Sequence, residues 1–162
     1  MTMNKEIFEK LCELNIQFKT VEHPAAFTME EIAEYNLTSH GHIPKNLVLR
    51  DVKGTRNMLV VVHGDKRADL RLIRDEIQST KLSFASDERL KKYLSVEKGS
   101  VSPLGVIFDR EKELEIYFDS DLQKEETVGC HPNDNRATVF LKFSDLVKYI
   151  ENSGHTIRFI KV

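Results

Sequence analysis

Three short segments of this chain hold residue types that do chemistry. In Pro44-Lys45-Asn46-Leu47-Val48-Leu49-Arg50-Asp51 a lysine enters an apolar run. Gly99-Ser100-Val101-Ser102-Pro103-Leu104-Gly105 is a Gly-x-x-x-Pro loop, and Gly129-Cys130-His131-Pro132-Asn133-Asp134-Asn135 carries a histidine between a glycine and a proline. The lysine sets a cation at the edge of a core. The loop presents backbone N–H groups to an anion or oxyanion, with Gly99 allowing close approach and Pro103 stiffening the exit. The histidine sits where a strand leaves its sheet. Together they suggest a site for a small polar ligand bearing an ester or a phosphate. Each also has a plainer reading: a snorkelling lysine at a strand start, a connecting turn, and a capping histidine beside Pro132.

Other chemistries find less support. No serine or cysteine has the partners expected of a nucleophile. Cys130 and His131 point to opposite faces if they share a strand, which argues against a Cys–His dyad. His23, His40, His42, His63 and His155 lack metal-ligand spacing with carboxylates or thiols, and His40-Gly41-His42 offers a weak metal site at best. No metal or cofactor is expected. Asn46 is placed to touch a ribose or phosphate, or simply to bond to the backbone. Phe27, Met29 and Ile32 follow a proline-bearing turn and either wall an apolar pocket or form amphipathic core.

The elements that must position these residues follow from periodicity and caps. Ile7, Phe8, Leu11 and Leu14 share one face of a helix over Asn4 to Leu14. Ile16 to Val21 alternates as a strand. Thr28-Met29-Glu30-Glu31 has capping-box spacing and predicts a short helix to about Asn36, followed by a polar loop to Pro44. Lys45 to Val52 and Asn57 to His63 read as strands joined by Lys53-Gly54-Thr55-Arg56. Asp69 and Ser86-Asp87 begin two helices, the second ending near Leu94. Strands are expected near Val106–Phe108, Glu115–Phe118, Glu126–Cys130 and Ala137–Lys142. A helix over Ser144 to Glu151 and a strand over His155 to Lys161 complete the chain. The pattern is a single α/β domain over residues 1–162 with a mixed sheet and short helices.

A length of 162 residues is enough to bury a core without staples. The apolar fraction of 40% and charged fraction of 31% fit a globular protein without a membrane helix. The start, Met1-Thr2-Met3-Asn4-Lys5-Glu6, lacks the apolar stretch of a signal peptide. Two cysteines make no disulfide framework, so a reducing cytoplasm is expected. The net charge of −2 argues against a general nucleic-acid coat protein. Its distribution is uneven: eight Lys/Arg against three Asp/Glu between Lys45 and Arg74, and three against eight between Asp109 and Glu126. Such asymmetry makes either a basic face for a phosphate backbone or merely solvated surface.

The three segments, in this order, resemble the bacterial-type prolyl-tRNA editing family. Its members are the free-standing YbaK/ProX proteins and the editing domain inserted into some prolyl-tRNA synthetases. The resemblance extends to Val21-Glu22-His23-Pro24-Ala25-Ala26-Phe27-Thr28 and the final strand–helix–strand. It is greatest for the free-standing ProX branch, which hydrolyses alanine wrongly attached to proline tRNA. The resemblance implies a YbaK/ProX-like fold with a mixed, partly barrel-like sheet flanked by short helices. It implies Lys45, Gly99 and Pro103 as the catalytic set, with Lys45 holding the terminal adenosine phosphate or polarising the ester carbonyl. It implies His131 as a substrate-orienting residue, with Asn46, Ser100, Val101 and Ser102 around the substrate; Phe27, Met29 and Ile32, which lie outside the three motifs, are candidates for the pocket wall. Arg50, Lys53, Arg56, Lys66 and Arg67 would meet acceptor-stem phosphates. The implied partner is the acceptor end of mischarged proline tRNA, with prolyl-tRNA synthetase as a further partner and neither membrane nor DNA involved. The same site is compatible with cysteine on proline tRNA, with another small ester, or with tRNA binding without turnover.

Overall fold

The computed structural model describes residues 4–162; Met1 to Met3 of the N-terminal stretch lie outside the described residues. Asn4 caps α1 (Lys5–Glu13) by accepting the Ile7 N–H, and Ile7 and Leu11 are fully buried beneath it. β1 (Phe18–Glu22) follows. Thr28 caps α2 (Met29–Glu34), which stops short of the expected Asn36 because that residue turns left-handed at φ 56°. The polar stretch to Pro44 includes a 3-10 turn, Leu37–Ser39.

β2 (Lys45–Arg50) and β3 (Asn57–Val62) pair antiparallel, with Lys45 opposite Val62 and Arg50 opposite Asn57. The connection is longer than the four residues expected. Asp51, 6% exposed, organises it by accepting the Arg56 N–H and the Thr55 hydroxyl, both at 3.1 Å. α3 (Leu70–Ile77) starts at Asp69 and α4 (Asp87–Leu94) at Ser86, each side chain accepting an N–H of the first turn. Between them, β4 (Ser83–Phe84) is a two-residue strand that no periodicity announces. The remaining elements are β5 (Leu114–Asp119), β6 (Thr127–Cys130), β7 (Ala137–Lys142), α5 (Phe143–Asn152) and β8 (Ile157–Ile160).

Val106–Phe108 is not a strand. It ends a 3-10 helix, Pro103–Phe108, begun by the Ser102 hydroxyl accepting the Leu104 N–H at 3.1 Å. Pro103 presets the first helical φ, and the apolar run is then buried by tertiary packing rather than by a ladder.

The strands form two sheets rather than one. The larger has the order β4-β2-β3-β5-β8, with β3–β5 and β5–β8 parallel, and the smaller is antiparallel β1-β7-β6. They meet at His42, whose N–H donates to Thr127 and whose carbonyl accepts the Gly129 N–H at 2.8 Å. This seam makes the structure barrel-like over part of its circumference without closing it.

β3 is buried along its entire length. Leu59 and Val61 join the main core with α1, α4, α5 and the small sheet. Met58, Val60 and Val62 face a second core under α3. A continuous apolar run is what a parallel-paired strand covered on both faces requires. A third cluster, including Ala26, Ile32, Leu37, Ile43 and Phe140, seats α2 against the small sheet.

Asp119, at the end of β5 and fully buried, ties the ends of β3 and β5 together. It accepts the His63 and Asp121 N–H groups and the Lys66 ammonium, each at 3.0 Å. Asp119→Ala leaves those donors unmatched, so unfolding free energy is expected to fall by about 3 kcal/mol, read as a lower urea midpoint at unchanged m.

Candidate functional site

A cavity of about 890 Å³ opens where α2, the start of β2, the 98–101 loop and the end of β6 converge. Lys45, Asn46, Gly99, Val101 and His131 all line it, although 86 residues separate the first from the last in sequence. Phe27, Met29 and Ile32 form one wall. Phe27 is 67% exposed at the mouth, whereas Ile32 is buried in the cluster beneath α2. The capping box fixes this wall: Thr28 Oγ accepts the Glu31 N–H at 3.1 Å, and the Glu31 carboxylate accepts the Phe27 N–H at 3.4 Å.

Lys45 is the first residue of β2, and its ammonium donates to the Lys66 carbonyl. The β2–β3 pairing and the 63–66 turn therefore aim this cation together. Asn46 donates from Nδ2 to the Val101 carbonyl at 3.5 Å, a long contact that joins β2 to the loop. Its Oδ1 is buried without a protein partner among the described residues. A buried carbonyl oxygen without a donor costs free energy, so a ligand N–H or O–H at that point would be favourable.

Gly99 adopts φ +93°, and a Cβ there would lie 2.9 Å from Phe27 Cδ1. The position thus excludes a side chain on both backbone and steric grounds. The Ser100 N–H is spent on Glu97 O, whereas those of Gly99 and Val101 have no acceptor among the described residues. Ser100, Ser102 and Pro103 do not line the cavity. Ser102 is fully buried, and with Pro103 it fixes the loop from behind.

His131 Nδ1–H donates to the Ala137 carbonyl at 2.9 Å, which leaves the Nε2 lone pair as the imidazole's acceptor. Burial pulls the His131 pKa below its ordinary value, opposed by the Ala137 bond and reinforced by nearby His23. The ring is therefore neutral at pH 7. Its neighbour Cys130 is 2% exposed, and burial pushes its thiol up to about 12. Gly129 makes room for this corner, since a Cβ there would lie 2.5 Å from Ile43 Cδ1.

Arg50, Lys53, Arg56, Lys66 and Arg67 are not brought to the cavity. Arg56 pairs with Glu115 at 2.8 Å, and Lys66 pairs with Asp119 and Asp121. The parallel register of β3 on β5 thus sets part of the basic run against the acidic run. Arg50 donates to the Asp51 and Val52 carbonyls, while Lys53 and Arg67 are exposed.

The fold also joins residues whose sequence separation hides their proximity: His42, His63 and Glu125, whose donor atoms lie within 4.8 Å of one another. His63 Nε2–H donates to Glu125 at 2.8 Å, and His42 Nε2 accepts the Gly64 N–H at 2.9 Å, placing the His42 proton on Nδ1. A metal at His42 Nδ1 would need the other tautomer and the loss of the Gly64 bond. Burial first, then His63, lowers the His42 pKa, with Glu125 opposing.

Residues 23–149 match the family model described as an aminoacyl-tRNA editing domain. The chain is 43% identical over 162 residues to the prolyl-tRNA editing protein ProX of Acetoanaerobium sticklandii, covering 100% of this chain and 99% of that one. It is 33% identical over 156 residues to prolyl-tRNA synthetase associated domain-containing protein 1 of Danio rerio, covering 95% of this chain and 84% of that one. A crystal structure described as a candidate trans-editing enzyme for prolyl tRNA synthetase shares the fold, with a TM-score of 0.72 and 24% identity over 99% of each chain.

Gly99→Ala is expected to lower stability by about 1–3 kcal/mol; Phe27→Ala in the same chain should recover the steric part, leaving the backbone part, in a double-mutant cycle read by denaturation. With His42 and His131 both below their ordinary 6.5 when folded, the unfolded chain binds more protons at acidic pH. Stability should be full above about pH 6.5 and fall progressively below it. Urea titrations between pH 5.5 and 7.5 should show this slope, and His42→Gln should flatten it.

Proposed function

The chain belongs to the aminoacyl-tRNA editing domain family, and on that premise we propose that it is a trans-acting deacylase that hydrolyses mischarged Ala-tRNA(Pro). The observation that carries this reading is the convergence of Lys45, Asn46, Gly99, Val101 and His131 on one cavity. The ProX relative is named a prolyl-tRNA editing protein, which supports the substrate class.

Water adds to the carbonyl carbon of the alanyl ester, and the carbonyl oxygen becomes an oxyanion. The Gly99 and Val101 N–H groups, which have no protein acceptor among the described residues, donate to that oxygen. The Lys45 ammonium, held by Lys66 O, adds positive charge to the cavity. It polarises the ester or holds the terminal adenosine phosphate. Neutral His131 accepts from the α-ammonium through Nε2, and Asn46 Oδ1 accepts a ribose hydroxyl. When the tetrahedral species collapses, the C–O bond to ribose breaks and the ribose oxygen takes the proton lost by the attacking water. Alanine and uncharged tRNA leave.

Selectivity against proline comes from the Phe27, Met29 and Ile32 wall. A site excludes a bulkier side chain by clash more readily than it rejects a smaller one, since a missing methylene changes binding by only about 1–3 kcal/mol. The exposed Lys53 and Arg67, with Arg50, meet acceptor-stem phosphates and make affinity salt-sensitive. The protein acts in the cytoplasm. Docking on prolyl-tRNA synthetase is supported by the name of the zebrafish relative.

Purified protein should release alanine from Ala-tRNA(Pro) and spare Pro-tRNA(Pro). Lys45→Ala should lower kcat/KM by about 100-fold or more, the scale of losing one transition-state donor. Absence of alanine release from a folded, tRNA-binding protein would overturn the assignment, and faster release of cysteine from Cys-tRNA(Pro) would move it to that substrate.

A further inference from the structure

Among the described residues, the two most exposed large apolar side chains are Phe27 at 67% and Phe84 at 63%. They belong to unrelated segments, yet both line the same cavity. The other exposed large apolar side chains, Val52, Leu72 and Phe159, do not. Phe27 lies beside Gly99, where an added Cβ would come within 2.9 Å of its Cδ1. Phe84 is held in β4 opposite Leu49, with the next residue's N–H donating to Val48 O at 2.9 Å. The lysines Lys45 and Lys98 line the cavity with them.

If the scissile ester lies at Lys45, Gly99 and His131, the nucleoside attached to it must reach the mouth where these rings stand. An aromatic ring at such a point stacks a nucleobase without reading its sequence, and a lysine beside it meets the adjoining phosphate. We propose that Phe84 is the stacking platform for the 3′-terminal nucleobase of the aminoacyl-tRNA, and that Lys98 meets its phosphate. This rests on the deacylase reading and adds a subsite to it. The occupant is single-stranded RNA rather than a second protein, because two lysines, Lys45 and Lys98, and the imidazole of His131 share the cavity with the rings.

The chain contains no tryptophan, so Phe84→Trp introduces a single fluorescent reporter. Titrating it with an uncharged acceptor minihelix ending in adenosine should quench the emission saturably. The same minihelix ending in an abasic ribose should quench far less. In deacylation assays with alanylated forms of both RNAs, removal of the base should raise the wild-type KM about tenfold, within the range for one stacked base. The ratio should collapse towards one in Phe84→Ala and return in Phe84→Trp. Equal quenching by both RNAs, or a base effect undiminished in Phe84→Ala, overturns the platform. Base-dependent quenching without alanine release by the wild type would sustain the platform while refuting the deacylase; release indifferent to the base would do the reverse.

Discussion

A carboxylate with no access to water needs donors, and Asp119 finds them in the backbone of the 63–66 turn and in Lys66. That requirement settles where β3 ends, how the chain leaves it and which way the Lys66 carbonyl faces. The carbonyl in turn receives Lys45, the cation at the head of β2. The antiparallel β2–β3 pairing and the parallel β3–β5 pairing therefore meet in one polar cluster. The site's charge is set by core electrostatics, one step removed from any ligand. Arg56 on Glu115 serves the same purpose at the other end of the strands, closing the sheet where the β2–β3 connection ends.

The basic and acidic runs of the sequence are partly explained by this arrangement. A tally along the chain suggests opposed surfaces, but the parallel crossover lays one run beside the other. Lys66 and Arg56 are then structural cations. A linear charge count misses this because β3 and β5 pair across more than 50 residues.

Local signals were legible where the physics is local. Asn4, Thr28, Asp69 and Ser86 cap the helices they announce, and β7 occupies the expected Ala137–Lys142. The Pro103–Phe108 segment defeated periodicity because a cap and a proline outweigh three apolar residues. The division into two sheets turns on the His42 bridge, which has no sequence signature. Within the site, Lys45, Gly99 and His131 were legible as motifs that together suggested one site, and the family resemblance narrowed its ligand. Phe84 was invisible because a two-residue edge strand has no period and its exposure reveals itself only after folding. The His42, His63 and Glu125 cluster was hidden for the reason already seen in the charge runs, contact without sequence proximity.

Cys130 immediately precedes His131, yet its thiol is sealed within the core. Burial pushes the thiol pKa up to about 12, so the sulfur stays protonated at neutral pH. Peroxide and disulfides react with the thiolate, so this sulfur is shielded by both its protonation and its burial. The residue beside the pocket histidine thus packs as a small hydrophobe, and oxidation at this position would require the core to open first.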